Sequence, residues 1–401
     1  MPEGLSAAHR RSPPRVLLTT DAVGGVWRYT IDLARGLSDL GIDPIIAVLG
    51  PAPVPAQCDE AAAIPRLRLV QTGLPLDWTA DTPADLAHTS DRLAALAALT
   101  GVASIHLHAP ALVGTATWPA PIVAVHHSCV GTWWRAVRAG PPPPDFAWRI
   151  EATATGLRHA QAIIAPTAAH AAAIRAVYGA LDITIVHNGI RTTTPPVEQR
   201  ASSSRALAER SRAANPNLPT RPRDRAILTA GRLWDEGKAI TLLDQAAPSL
   251  TAPIHAAGPT KGPNGTSIHL PNLHLLGTLD PKAMATAYAD ATIFASMATY
   301  EPFGLAVLEA ASAGMRLVLS DIPTFRELWQ GAATFVSYFA VLPASLPASL
   351  SASLPASLPV ILEQALDTPG DGGAQERAGR YTIEKTIDAT LAIHRTLVPA
   401  T

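Results

Sequence analysis

Short apolar runs alternate with amphipathic stretches along most of the chain, in the rhythm of a parallel α/β protein. Val16-Leu17-Leu18-Thr19-Thr20 reads as a first strand. The loop Asp21-Ala22-Val23-Gly24-Gly25 follows, and then Val26, Tyr29, Leu33, Leu37 and Leu40 recur at three- and four-residue steps, one face of a helix that Gly41 ends. Further strands are expected over Asp43 to Leu49, Ala103 to His108, Pro121 to Cys129, Ala162 to Thr167 and Ile183 to Ile190, with helices near Asp91 to Leu99 and Glu151 to His159. The rhythm pauses over Arg191 to Arg225, which is rich in Thr, Ser, Pro and Arg and reads as a domain boundary. It resumes with strands over Ala226 to Gly231, Pro253 to Gly258, Leu273 to Gly277, Ala291 to Ser296 and Leu317 to Ser320. Helices are expected to start near Lys238, Pro281 and Leu305. From Phe339 the pattern breaks into Pro-Ala-Ser-Leu repeats over residues 343–359, whose prolines predict an expanded surface loop before a helix at Val360 to Leu366. Two α/β units are therefore predicted, residues 1–190 and 226–380, joined by residues 191–225 and followed by a helical tail over 381–401.

Composition narrows the function. A chain of 401 residues exceeds what one core usually serves, which agrees with two domains. The net charge of -1 and pI near 6.9 argue against nucleic-acid binding. Two cysteines, Cys58 and Cys129, suggest a reducing compartment rather than a disulfide framework. Met1 to Arg15 contains no apolar core of a signal peptide, and no run of eighteen apolar residues occurs. A cytoplasmic protein is expected, with peripheral contact at the inner face of a membrane left open.

The candidate chemistry gathers where strands hand over to helices. Glu301-Pro302-Phe303-Gly304-Leu305 lies between a strand and a helix, and Glu309 falls within that helix. The unpaired first-turn amides of a helix make an anion site, whereas carboxylates suit the hydroxyls of a sugar. Arg232 and Lys238 flank another strand-to-helix loop, where two cations can neutralise a diphosphate. Gly24 and Gly25 permit close backbone approach, although the dinucleotide spacing GxGxxG is absent. His126-His127 ends a strand, with His106 and His108 on another, but no acidic partner nearby in sequence supports a metal. Trp133, Trp134, Arg135 and Arg138 after that strand suit stacking on a sugar as well as ordinary packing, and the segment is the candidate acceptor lip.

The run Glu301 to Glu309 with Pro-Phe-Gly inside it, together with Gly231-Arg232-Leu233 and Lys238, resembles the signature of retaining glycosyltransferases of family 4. The resemblance implies the GT-B architecture: two Rossmann-like domains facing each other across a deep cleft, the first on the acceptor side, the second holding the nucleotide sugar, and a last helix crossing back to the first. It implies a metal-independent hexosyltransferase that uses a nucleotide diphosphate sugar, UDP-glucose or GDP-mannose foremost, as donor substrate with no other cofactor. The acceptor would be a glycan or a lipid-linked saccharide, as in polysaccharide biosynthesis. Arg232 and Lys238 would hold the pyrophosphate, Glu309 the ribose, and Glu301 a hydroxyl of the donor sugar. Amides around Phe303, Gly304 and Leu305 would reach the sugar or phosphate, Gly24 and Gly25 would face the phosphates across the cleft, and His127, with His126 as the alternative, would lie near the transferred sugar. Two other readings stay open: a GT-B nucleotide-sugar epimerase, and a non-catalytic sugar-nucleotide-binding protein.

Overall fold

The computed structural model describes residues 14–114, 116–191, 224–337, 354–368, 370 and 372–398. Most of the segment between the domains and most of the Pro-Ala-Ser-Leu repeat fall outside them.

The first sheet contains β1 (Arg15–Asp21), β2 (Asp43–Leu49), β3 (Arg68–Gln71), β4 (Ser104–Leu107), β5 (Ile122–Val125), β6 (Ala162–Ala165) and β7 (Thr184–Ile185). Their spatial order is β3-β2-β1-β4-β5-β6-β7, all parallel. Runs such as Leu17-Leu18 and Ile45-Ile46 are apolar on both faces because helices cover both sides of a parallel sheet. The second sheet contains β8 (Asp224–Ala230), β9 (Ile254–Ala257), β10 (His274–Gly277), β11 (Ala291–Ser296), β12 (Arg316–Ser320) and β13 (Thr334–Val336), ordered β10-β9-β8-β11-β12-β13 and again parallel. In each sheet the order reverses beside the first strand, between β1 and β4 and between β8 and β11. Ligands of open α/β sheets sit outside the carboxyl ends of the strands at that switch.

Helix α1 (Gly25–Asp39) realises the periodic face predicted after Gly24-Gly25 and packs Ile31, Leu33 and Leu37 inward. Helices α2 (Pro55–Ala62), α3 (Pro83–Thr100), α4 (Val130–Val137), α5 (Pro144–His159) and α6 (Ala168–Tyr178) complete the first domain. Alanine-rich α6 and short α2 carry little periodicity, so the sequence pattern does not announce them. The second domain adds α7 (Ile240–Ala246), α8 (Pro281–Asp290), α9 (Leu305–Ser312), α10 (Pro323–Trp329), α11 (Leu354–Asp367) and α12 (Gly373–Ala378). Two local expectations need correction. The last units of the repeat are helical rather than loop: α11 starts at Leu354 and runs through Pro359, and burial of Leu358 and Leu362 in the core offsets the backbone hydrogen bond that proline cannot make. The helix expected at Lys238 is a single 3-10 turn, Glu236–Lys238, after which Ala239 takes a left-handed φ of 47° before α7 begins.

The final helix, α13 (Ile383–Leu397), follows the second domain in sequence but packs on the first. Ile383, Ile387 and Leu391 share a buried cluster with Trp27, Leu33 and Leu37 of α1. A Cβ built on Gly36 would fall 2.1 Å from Ile387 Cδ1, so any side chain there would force Ile387 to move.

Candidate active site

Both switch points open onto one cavity of about 820 Å³, within the usual range for small-ligand sites. The first domain contributes Thr19, Thr20 and Asp21 at the end of β1, His108 after β4, and His127 and Ser128 after β5. The second contributes Arg232, Trp234, Asp235 and Glu236 after β8, and Tyr300 after β11.

The domains are tied together around this cavity by polar contacts that sequence reading does not foresee. Trp133 Nε1 donates to Asp235 Oδ1 at 2.9 Å, Arg138 Nη2 pairs with Glu236 Oε1 at 2.6 Å, and the hydroxyls of Thr132 and Tyr300 meet at 2.8 Å. Nearby, the first two amides of α6, at Ala168 and Ala169, donate to the Glu327 carboxylate at 2.9 and 2.7 Å. An anion at a helix N-terminus is favoured by the dipole and by the unpaired amides, and here it comes from the opposite domain. The tryptophan-rich segment singled out as an acceptor lip is thus helix α4, with Trp133 and Trp134 on the cavity wall and Trp133 bridging the cleft.

On the C-terminal side the candidate charges neutralise one another. Lys238 Nζ and Glu301 Oε2 are 2.6 Å apart, and these side chains are only 17% and 16% exposed. Arg232 Nη2 lies 3.1 Å from Asp235 Oδ2, while Asp235 Oδ1 also accepts from the Gly237 amide at 2.9 Å. Arg232 follows β8 and Glu301 follows β11, so the pairs straddle the switch point of this domain. Left alone in a half-buried cleft, each charge would carry a desolvation cost, and pairing offsets it. Glu309 lies one turn into α9 and accepts from Tyr288 Oη at 2.9 Å. Burial raises its pKa, while the Tyr288 hydrogen bond and the charge of Arg28 across the cleft hold it down.

Gly304 is the N-cap of α9 at φ 93°, a left-handed value that a side chain would strain, and it provides no side-chain cap to the first-turn amides. Phe303 is 3% exposed and packs in the core, so only its backbone is offered to a ligand. Gly25 faces Leu305 over the cleft: a Cβ there would lie 3.4 Å from Leu305 Cδ1. The amide of Gly24 is engaged by Asp21 Oδ1 at 3.2 Å, and that of Val23 by the same oxygen at 2.8 Å.

Two family models match the chain, that of glycosyltransferase family 4 over residues 23–194 and that of glycosyl transferases group 1 over residues 224–354. The chain belongs to glycosyltransferase family 4. It is a transferase of the GT-B fold that moves a sugar from a nucleotide-sugar donor to an acceptor. Solved structures agree on the fold. Sucrose-phosphate synthase from Thermosynechococcus elongatus is similar at 17% identity and a TM-score of 0.68, covering 96% of this chain and 99% of that one. HepE of Anabaena in complex with UDP-glucose is similar at 16% identity and 0.67, covering 96% and 100%. WaaG, a glycosyltransferase involved in lipopolysaccharide biosynthesis, gives 14% identity and 0.63, covering 96% and 100%. No curated protein matches the sequence.

The histidines of this transferase divide into two roles. His126 is fully buried, and its Nδ1 lies 2.9 Å from His170 Nε2. His127 faces the cavity instead, with Nε2 2.8 Å from His108 Nδ1. The proton order of that chain follows from its far end. Thr30 donates its hydroxyl to the Val26 carbonyl at 2.7 Å, so its oxygen accepts from His108 Nε2 at 3.2 Å. His108 Nδ1 is then an acceptor, and His127 must donate from Nε2, which leaves its Nδ1 with a bare lone pair. Burial pushes the pKa of His127 down to about 3, so the ring stays neutral. Among the described residues no group of three or more His, Cys, Asp or Glu converges to hold a metal, and no helix is long and apolar enough to cross a membrane.

Proposed function

We propose that the protein is a retaining, metal-independent hexosyltransferase whose C-terminal domain holds a UDP- or GDP-hexose and whose N-terminal domain receives the acceptor, a glycan or lipid-linked saccharide in the broad family sense. The observation that carries this reading is the pair of self-neutralised charges at the second switch point, Lys238 with Glu301 and Arg232 with Asp235. Each offers a cation to a diphosphate and a carboxylate to something else. A donor arriving with both a diphosphate and sugar hydroxyls takes over the two cations and offers Glu301 a hydroxyl in exchange, while Asp235 keeps its hydrogen bonds from Trp133 Nε1 and the Gly237 amide. Arg232 and Lys238 turn to the pyrophosphate, and Glu301 accepts from a hydroxyl of the hexose. The open amides behind Gly304 take a phosphate or sugar oxygen, and Glu309 accepts from the ribose.

Transfer then proceeds on one face of the sugar. The acceptor oxygen bonds to the anomeric carbon as the bond from that carbon to the phosphate oxygen breaks, and the departing nucleoside diphosphate takes the acceptor's proton. Arg232 and Lys238 stabilise the negative charge that develops on the leaving group. Neutral His127, with a lone pair at Nδ1, accepts from a sugar hydroxyl beside the reacting carbon and brings no positive charge to an oxocarbenium-like centre. The interdomain contacts around Trp133 and Arg138 keep water from the donor while the cleft is closed.

The test is incubation with UDP-glucose, UDP-galactose, UDP-N-acetylglucosamine and GDP-mannose, following nucleotide release and anomeric protons by NMR. One donor should release its nucleotide and give an α-linked product. Conversion of a donor to its epimer without acceptor would establish the epimerase instead, and binding without turnover under every acceptor condition would establish a binding protein.

A further inference from the structure

The wall of the cavity on the N-terminal side has an uneven chemistry. Four of the eight tryptophans of the chain, Trp78, Trp133, Trp134 and Trp234, line the cavity. Beside them on the N-terminal side stand Leu49, Leu76, Leu112 and Phe146. Aromatic rings alone would serve a sugar as well as a hydrocarbon, since both stack on them. The leucines do not, because they offer nothing to the hydroxyls of a saccharide, which lose hydrogen bonds to water when buried there.

The cations of this wall are only partly engaged, since the buried Nε of Arg149 has no hydrogen-bond partner among the described residues. Arg149 donates to the backbone carbonyls of Asp145 and Ala80, and Arg138 pairs with Glu236. Asp145 is exposed at the rim. Asp77 lies half-buried on the connection between β3 and α3, next to Leu76 and Trp78. Burial in this apolar setting, opposed by the Trp78 amide and reinforced by the charge of Asp21, holds its carboxyl up at about 6. A carboxyl kept in such surroundings gains from any ligand that donates a hydrogen bond to it.

We propose that the acceptor of this transferase is a compact, largely apolar alcohol, aromatic or alicyclic in body, enclosed by the N-terminal wall of the cavity and anchored by a hydrogen bond from one of its polar groups to Asp77. The proposal rests on the glycosyl-transfer reading and replaces its broad saccharide acceptor by a narrower class. Asp77 is a positioning residue for the acceptor, and the proton of the reacting hydroxyl still leaves on the nucleoside diphosphate.

The full-length protein is given its donor together with either aryl and alicyclic diols or malto- and manno-oligosaccharides at matched concentration, and glycosylated product is quantified. Acceptor-independent release of nucleotide from the donor is measured alongside, so that failure of donor use and failure of this acceptor class are told apart. The diols should be glycosylated at least tenfold faster than the oligosaccharides and should quench tryptophan fluorescence on binding. Asp77→Asn should raise the KM for the diol about tenfold while donor KM and acceptor-independent release stay within twofold, and Asp77→Glu should restore part of the loss. Phe146→Ala should weaken the diol without touching donor release. Preference for oligosaccharides, or an unchanged acceptor KM in Asp77→Asn with donor release intact, would overturn the proposal.

Discussion

The two sides of the cleft solve different problems with different materials. The C-terminal side is built from opposed charges held in contact, Lys238 with Glu301 and Arg232 with Asp235. The N-terminal side is richer in neutral rings and aliphatic chains: His127 hydrogen-bonded to His108, tryptophans, and leucines from three separate segments, among a few charged residues. A charged nucleotide sugar suits the first and an apolar body suits the second. The two sides should therefore answer to mutation, pH and ligand in separable ways.

The largest effect should come from the charge pairs. Lys238→Ala removes one of the cations assigned to the leaving diphosphate, and steady-state kinetics should show kcat/KM lower by about 100- to 1,000-fold. Glu301→Gln should lower kcat by about 100-fold while the affinity for free UDP or GDP is kept or slightly improved, because Lys238 is released from its partner. Equal losses of transfer and of nucleotide binding in Glu301→Gln would remove the distinction between the two roles.

Next in size is the contact between the sides. Trp133→Phe removes the donor to Asp235 and keeps the ring, so about 1.5 kcal/mol of closure energy, or roughly tenfold in kcat/KM, should be lost. Nucleotide binding to the C-terminal domain should stay within twofold.

The pH response should separate the sides as well. His394, on the helix that crosses back, lies 3.0 Å from His106, and burial lowers its pKa to about 4. Below pH 6.5 the unfolded chain takes up a proton that the folded chain does not, so this histidine's contribution is intact above 6.5 and declines by up to about 1.4 kcal/mol per pH unit toward 4. Asp77, raised to about 6, has the opposite slope between 3.8 and 6. The readout is therefore the difference between wild type and His394→Asn, and wild type should lose more Tm than the variant between pH 7 and 5. Parallel curves would mean that His394 is not the acid-sensitive joint.

The smallest effect concerns local strain. Ala239 holds a left-handed φ of 47° directly after Lys238. Ala239→Gly should raise stability by up to about 1 kcal/mol in denaturant unfolding, the relief of strain being partly offset by the greater entropy of an unfolded glycine.

Much of the C-terminal side was legible in the sequence because its chemistry is local. Arg232 and Lys238 are six residues apart around one strand end, and Glu301 to Glu309 spans one turn and one helix. Each motif sits where an apolar strand stops, so residue type and spacing point to residues that the structure gathers at neighbouring strand ends. Two parallel sheets were legible for the same reason, since their strands are short uninterrupted apolar runs. The N-terminal side was legible only in part: His127 and the segment around Trp133 and Trp134 were singled out and line the cavity, but their partners were not. Trp133 reaches Asp235 across 102 positions, and Leu49, Leu76 with its neighbour Asp77, Leu112 and His127 come from separate segments that only the fold brings together. The His126-His127 pair shows the limit closely: the two residues follow the end of β5 and turn to opposite sides, one to the core and one to the cavity, and the sequence does not print which. The helical end of the repeat escaped for a related reason, as prolines in the pattern outweighed the leucines that the core takes up.

On this reading the C-terminal charges, and not the N-terminal wall, hold the diphosphate. Calorimetric titration of UDP and GDP into wild type, Arg232→Ala, Lys238→Ala and Asp77→Asn tests it directly. One nucleotide should bind wild type and Asp77→Asn alike and bind both cation variants at least tenfold more weakly. Equal affinity in Arg232→Ala, Lys238→Ala and wild type would contradict the account.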